Sequence, residues 1–399
     1  MRALTKAVLA GFAACALVGG SAVTASADDE EIIVGFAESK SGWMAAYSGP
    51  SALAAKLRIA EINAAGGLLG KQIQIVDADA KTDRVEGAKA GQKVIGDGAD
   101  FVIVDCDFDF GAPAANMAQG AGLISFFLCA GDPKAGIEGI GSYAFSGGNA
   151  AHVDGAAMAI WSYERKGARK AYLLRDETLE YSQSTCAGFE WQWPQLEGAE
   201  IIAIDVFQNE DPSIQGQIDR IRTSAVKPDV IALCSYIPGG AAAIRQIRAA
   251  GIDTLIMAGI ALDGTYWLDA VPNLNNFCVV SFGSIYGDAP EPELAKFIAD
   301  FTALKGEPPA TSYPLTGYTV IDLWARAVER AGTVASDPVL AELENMTDEP
   351  TLIGPRGFSD QLHIQDKARY AILCTVDGEP RFQEYWIAGP VEKSILLKN

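Results

Sequence analysis

The chain has 399 residues, with 51 acidic against 31 basic side chains and a formal charge of −20. So acidic a surface repels polyanions, which excludes nucleic acid as a partner. Only two histidines, His152 and His363, are present, and no C-x-x-C pair, phosphate loop or nucleophile elbow occurs; neither a metal nor a cofactor is expected, and a histidine-based catalytic couple has nothing to support it.

In chain order, Arg2 and Lys6 precede an apolar run from Ala7 to Val23, which ends in Ala25-Ser26-Ala27 before Asp28-Asp29-Glu30. This is the three-part pattern of a secretory signal peptide, cleaved after Ala27, and it sends the protein out of the cytoplasm. Two other readings compete, a buried N-terminal helix and lipidation at Cys15. No later segment is apolar for long enough to span a bilayer. Next come Ile32–Phe36 as a strand, a helix over 48–64, the strand Gln72–Val76 and a helix over 84–97. Further strands are expected at Phe101–Val104, Gly122–Phe126, Lys170–Leu174, Glu200–Ile204, Val230–Leu233 and Leu255–Met257. Runs that are apolar nearly throughout suit strands covered on both faces by helices, so the fold class is parallel α/β, in two doubly wound sheets. In such sheets ligands sit beyond the carboxyl ends of the strands. Beyond Ala27 six cysteines remain, Cys106, Cys129, Cys186, Cys234, Cys278 and Cys374. In an oxidising compartment an even number permits three disulfides, with the pairing open.

The string Glu61-Ile62-Asn63-Ala64-Ala65-Gly66-Gly67-Leu68-Leu69-Gly70-Lys71 closely resembles a segment of the type I periplasmic solute-binding proteins, in the branch that includes the leucine/isoleucine/valine-binding proteins of ABC importers. Ser41 to Tyr47, Lys227-Pro228-Asp229-Val230, Ile244 to Gly251, Gly306-Glu307-Pro308-Pro309 and Leu315-Thr316-Gly317-Tyr318 fall in the same order as in that family. The resemblance implies two Rossmann-like lobes joined by a three-crossing hinge, near Phe145-Ser146, Phe282-Gly283-Ser284 and Leu352-Ile353-Gly354. Residues 28–145 plus 284–351 would form lobe 1, and 146–283 plus 352–399 lobe 2. It implies no catalysis: a small-molecule solute is held between the lobes and handed to ABC permease subunits in the membrane. A monomer is favoured, because closure needs free lobe rims. Two alternatives use the same features less fully, a periplasmic sensor for a signalling partner and a secreted α/β hydrolase built on aspartate.

By position, the resemblance puts Tyr47 after the first strand and Tyr181 and Tyr236 in the second lobe as aromatic walls of the site, with packing as the competing role. Where relatives that grip an amino acid carboxylate carry a small hydroxyl residue and an Ala-x-Thr turn, this chain has Asp105-Cys106-Asp107-Phe108-Asp109-Phe110 and Ser125 to Asp132, including Phe127 and Ala130. Aspartates at spacing two in an extended segment share one side, where a carboxylate ligand would meet like charge. The expected acid after Leu255–Met257 is replaced by Ile260, leaving Asp263 as the nearest candidate. Asp107 and Asp109 with Trp43, Phe108, Phe110, Phe127, Tyr181, Tyr236 and Trp267 then suggest a box for a cation. Structural roles compete here as well: aspartates capping a helix near Pro113, and Phe126-Phe127 ending a core strand. Cys106 and Cys129 follow strands expected to be neighbours, which makes them the disulfide candidate.

Overall fold

A computed structural model describes residues 31–397; the expected signal peptide lies outside the described residues. The first sheet contains β1 (Ile32–Glu38), β2 (Ile73–Asp79), β3 (Phe101–Val104), β4 (Ser125–Phe127) and β5 (Ala144–Ser146), all parallel, in the order β2-β1-β3-β4-β5. Between these strands run α1 (Ala45–Ala64), α2 (Arg84–Gly96) and α3 (Phe108–Gly120). Val34 and Phe36 of β1 pack with Ala55 and Ile59 of α1, whereas Val102 and Val104 of β3 pack with Val94 of α2 and Ala115 of α3. Both faces are therefore covered, which is why these strands read as continuous apolar runs.

The chain then passes through α4 (Ala151–Lys166) into a second sheet. Its strands are β6 (Lys170–Asp176), β7 (Glu200–Phe207), β8 (Val230–Cys234), β9 (Leu255–Ala258), β10 (Phe277–Ser281), β11 (Ala368–Val376) and β12 (Glu379–Ala388), ordered β12-β11-β10-β9-β8-β6-β7. Helix α5 (Glu180–Gln192) joins α4 on one face, with α6 (Gln215–Thr223) and α7 (Gly239–Ala249) on the other. Between β10 and β11 the chain returns to the first sheet as α8 (Pro292–Lys305), α9 (Pro314–Ala331) and α10 (Ser336–Glu344). Trp324 of α9 stacks on Phe101 of β3 at 4.6 Å between ring centroids, closing that face. The molecule is thus two doubly wound lobes with three passages between them.

Several boundaries differ from the sequence reading. Helix α3 begins at Phe108 rather than near Pro113, so Asp105, Asp107 and Asp109 sit at the end of a strand and the start of a helix, and their side chains diverge. The β11–β12 hairpin is antiparallel and was not anticipated. Its signal is Asp377-Gly378, both at positive φ (52° and 82°), the two-residue turn that matches strand twist. Finally, residues beyond Leu352–Gly354 still lie along β5. The His363 ring stacks on Phe145 at 3.7 Å, and the carbonyls of His363 and Gln365 accept from the Ser146 and Ala150 N–H groups. These contacts hold the segment as far as Gln365 against the end of the first sheet.

Candidate functional site

Strand order reverses around β1 in the first sheet and around β6 and β8 in the second, and in each case the segments beyond the carboxyl ends splay apart to leave a crevice. Those segments face one another. From the first lobe come Trp43 and Met44 after β1, Tyr47 in the first turn of α1, Cys106 and Asp107 after β3, Cys129 after β4, and Tyr313 immediately before α9. From the second come Leu179 and Tyr181 after β6, Tyr236 after β8, and Ile260 and Ala261 after β9. Together they line a cavity of about 30 Å³, room for a water or two.

The lobes are shut on each other by tyrosine hydroxyls. Tyr47 Oη accepts from the Ile237 N–H at 2.8 Å and donates to the Ala261 carbonyl at 3.1 Å. Tyr313 Oη donates to the Ile260 carbonyl at 2.9 Å, again across the cleft. Tyr181 Oη bonds within the second lobe instead, accepting from the Ala261 N–H at 3.1 Å and donating to Asp154 at 3.2 Å. Rings complete the closure. Trp43 lies 4.9 Å from Tyr236 and 5.5 Å from Phe110, and Tyr47 lies edge-on to Tyr313 at 5.2 Å.

The three aspartates after β3 do three different things. Asp105 is fully buried and accepts from the Ser39 N–H and from the hydroxyls of Ser39 and Ser48, so it ties β1, α1 and β3 together; burial pushes its carboxyl up to about 6. Asp109 pairs with Arg84 at 2.5 Å and accepts from the Glu180 N–H across the cleft mouth at 3.3 Å. Asp107 lines the cavity, only 5 % exposed, and its Oδ1 has no hydrogen-bond donor. Burial raises its carboxyl well above the usual range, and Asp109 adds to the rise.

The structure brings together Trp43, Tyr47, Asp107, Tyr181 and Tyr236 and places other expected residues elsewhere. Phe108 and Phe127 stack on each other at 6.4 Å in the layer between the first sheet and α3, and Ala130 lies in the same core. They turn away because α3 starts at Phe108 and β4 alternates Phe126 and Phe127 between opposite faces. Asp263 is buried at the hinge, where it accepts from the Ser281 hydroxyl and the Ser312 N–H at 3.2 and 2.8 Å. Trp267 belongs to the core under α7. The Cys106–Cys129 disulfide is formed and lines the cavity; the other bridges are Cys186–Cys234 and Cys278–Cys374. Neither histidine lines the cavity. Among the described residues no group of three or more His, Cys, Asp or Glu side chains is arranged to hold a metal ion.

The sequence profile of the periplasmic binding proteins matches residues 31–376. The chain belongs to this family. As a periplasmic binding protein it is similar to the Leu/Ile/Val-binding protein BraC3 of Rhizobium johnstonii, at 24 % identity over 81 % of this chain and 86 % of that one. The solved branched-chain amino acid substrate-binding protein LivJ of Streptococcus pneumoniae, in complex with isoleucine, superposes with a TM-score of 0.77 at 22 % identity, over 90 % of this chain and 99 % of that one. A benzoate-bound solute-binding protein of an ABC transporter from R. palustris gives a TM-score of 0.76 at 18 % identity, over 91 % and 98 %. Within this periplasmic binding protein the sequence reading missed Tyr313, Leu179, Ala261 and Met44, and had Ile260 only as the replacement of an expected acid. Only Tyr313 carried a signal, an aromatic directly before the first-turn proline of a helix.

Proposed function

We propose that this periplasmic binding protein is the solute receptor of an ABC importer. It captures one small organic molecule, an amino acid, amine or related compound, between its lobes and delivers it to the permease. The observation that carries this reading is the pair of tyrosines, Tyr47 and Tyr313, that reach from the first lobe across the cleft to the second, beside a small cavity lined by both lobes. A site made of hinge-mounted walls holds ligand by closing on it, and ligand shifts the hinge toward the closed state by its extra contacts there. Lobe 1 then comprises residues up to Phe145 plus about Ser284 to Gln365, and lobe 2 the remainder. Secretion with cleavage after Ala27, a monomeric state and the absence of turnover accompany this reading, and the fold of the relatives supports it.

The test is thermal unfolding of the protein from Asp28 onward against amino acids, amines, betaines, carboxylates and aromatic acids. A ligand specific to the folded state adds about 2.7 kcal/mol at a hundredfold excess over its Kd. The expected outcome is a clear rise in Tm for one chemical class, with the ligand recovered unchanged. A library that leaves Tm flat, or a hit that is consumed on incubation, would refute the receptor reading.

A further inference from the structure

We propose that the cleft takes an alkylated or quaternary ammonium compound that carries no carboxylate, with Asp107 as counter-ion and the rings of Trp43, Tyr47, Tyr181 and Tyr236 as walls. This rests on the solute-receptor reading above. Among the described residues that line the cavity, Asp107 is the only acidic or basic side chain, so a carboxylate ligand has no cation to meet there. Three backbone donors and three of the four tyrosine hydroxyls are already engaged, which leaves the Tyr236 hydroxyl and the Trp43 indole N–H as the neutral side-chain donors. The Cys106 N–H donates to Ser48 Oγ, the Ala261 N–H to Tyr181 and the Ile237 N–H to Tyr47. Three tyrosine hydroxyls spend their protons on Ala261, Asp154 and Ile260. A zwitterionic amino acid would bury its carboxylate there without a cationic partner, a cost of several kcal/mol.

What the cavity does offer is ring surface and one unsatisfied carboxylate oxygen, Asp107 Oδ1. Aromatic faces are negative at their centres and attract a diffuse cation, most strongly when water is excluded. An alkylated ammonium also suits the shortage of acceptors. A primary ammonium brings three N–H donors for which a single carboxylate is too few, whereas methyl groups need only contact. Bound cation would then hold Asp107 ionised despite its burial, since opposite charge within a few ångström favours the charged form.

The probes are choline, tetramethylammonium, 3,3-dimethyl-1-butanol (the uncharged isostere of choline), L-isoleucine and benzoate. Each is titrated into the protein at constant ionic strength, with Tm and Trp fluorescence as readouts. Expected are saturable binding of choline or tetramethylammonium, binding of the alcohol at least 30-fold weaker, and at least 30-fold weaker cation binding by Asp107→Asn. The alcohol keeps the proposal testable even if that variant folds poorly. Equal affinity for the alcohol and choline, or cation binding unchanged in Asp107→Asn, overturns the proposal. Isoleucine or benzoate binding without cation binding overturns it too, but leaves the receptor reading standing. A wider library that also fails removes both.

Discussion

Tyr47 shows how one hydroxyl couples two lobes. It sits in the first turn of α1, yet both its hydrogen bonds go to segments following β8 and β9. Removing the oxygen leaves the Ile237 N–H without an acceptor in the closed state only, because in an open cleft water replaces it; such a loss costs about 1–3 kcal/mol. Tyr47→Phe is therefore expected to weaken ligand binding by 5- to 100-fold with little change in the Tm of the ligand-free protein, as read by titration and thermal unfolding. The aspartates make the complementary point. The residue types of Asp105, Asp107 and Asp109 were legible in sequence, but their separate roles were not, because one helix start decides which way each carboxylate points.

Helix pairs pack at contacts that admit no side chain. A Cβ on Gly317 of α9 would stand 1.8 Å from the Ser51 carbonyl oxygen of α1, and one on Gly188 of α5 would stand 1.9 Å from the His152 carbonyl oxygen of α4. Backbone atoms cannot yield as a flexible side chain does, so Gly317→Ala is expected to destabilise the fold by about 2 kcal/mol or more, measurable by urea unfolding. The Cys106–Cys129 bridge works at the same scale, joining the segments after β3 and β4 that carry Asp107 toward the cavity. Closing that loop in the unfolded chain is worth about 3 kcal/mol, so Cys106→Ser with Cys129→Ser should lower stability by that order and loosen the ligand site as well. The α/β alternation, and β3 to the residue, followed from apolar runs. The β11–β12 hairpin did not, because β12 is a half-exposed edge strand whose side chains alternate.

At the scale of the molecule, no disulfide among the described residues crosses the cleft: Cys106–Cys129 stays in the first lobe, and Cys186–Cys234 and Cys278–Cys374 stay in the second. Opening is held back only by non-covalent contacts such as the Lys134–Glu180 pair at 3.0 Å and the tyrosine bonds. The fold also stores buried acids. Glu38 and Asp154 are pushed up to about 7 and Asp105 to about 6, chiefly by desolvation. Each retains its proton in the folded state over a range in which the unfolded chain has lost it, so folding is favoured below pH 4 and that contribution fades as pH rises toward 7. Carboxylates elsewhere that hold ion pairs act in the opposite sense at low pH. The ligand-free protein is thus expected to lose Tm between about pH 4 and pH 7, and Glu38→Gln should flatten that slope in a pH series of unfolding scans. A slope unchanged by Glu38→Gln would show that its carboxyl titrates normally.

The sequence by itself determined the fold class, the two lobes and the family resemblance, because apolar periodicity and turn glycines are local signals that survive without neighbours. Tyr47, Tyr181 and Tyr236 were reachable through the family resemblance, and Trp43 and Asp107 because they follow strands, whose ends are where such sheets bind. Only the tertiary structure decided that Phe108 and Phe127 face a core, that Asp263 serves the hinge, and that Tyr313 crosses from α9 to Ile260. Those outcomes depend on where a helix begins and on which distant segment lies opposite, and no local pattern in the chain encodes either.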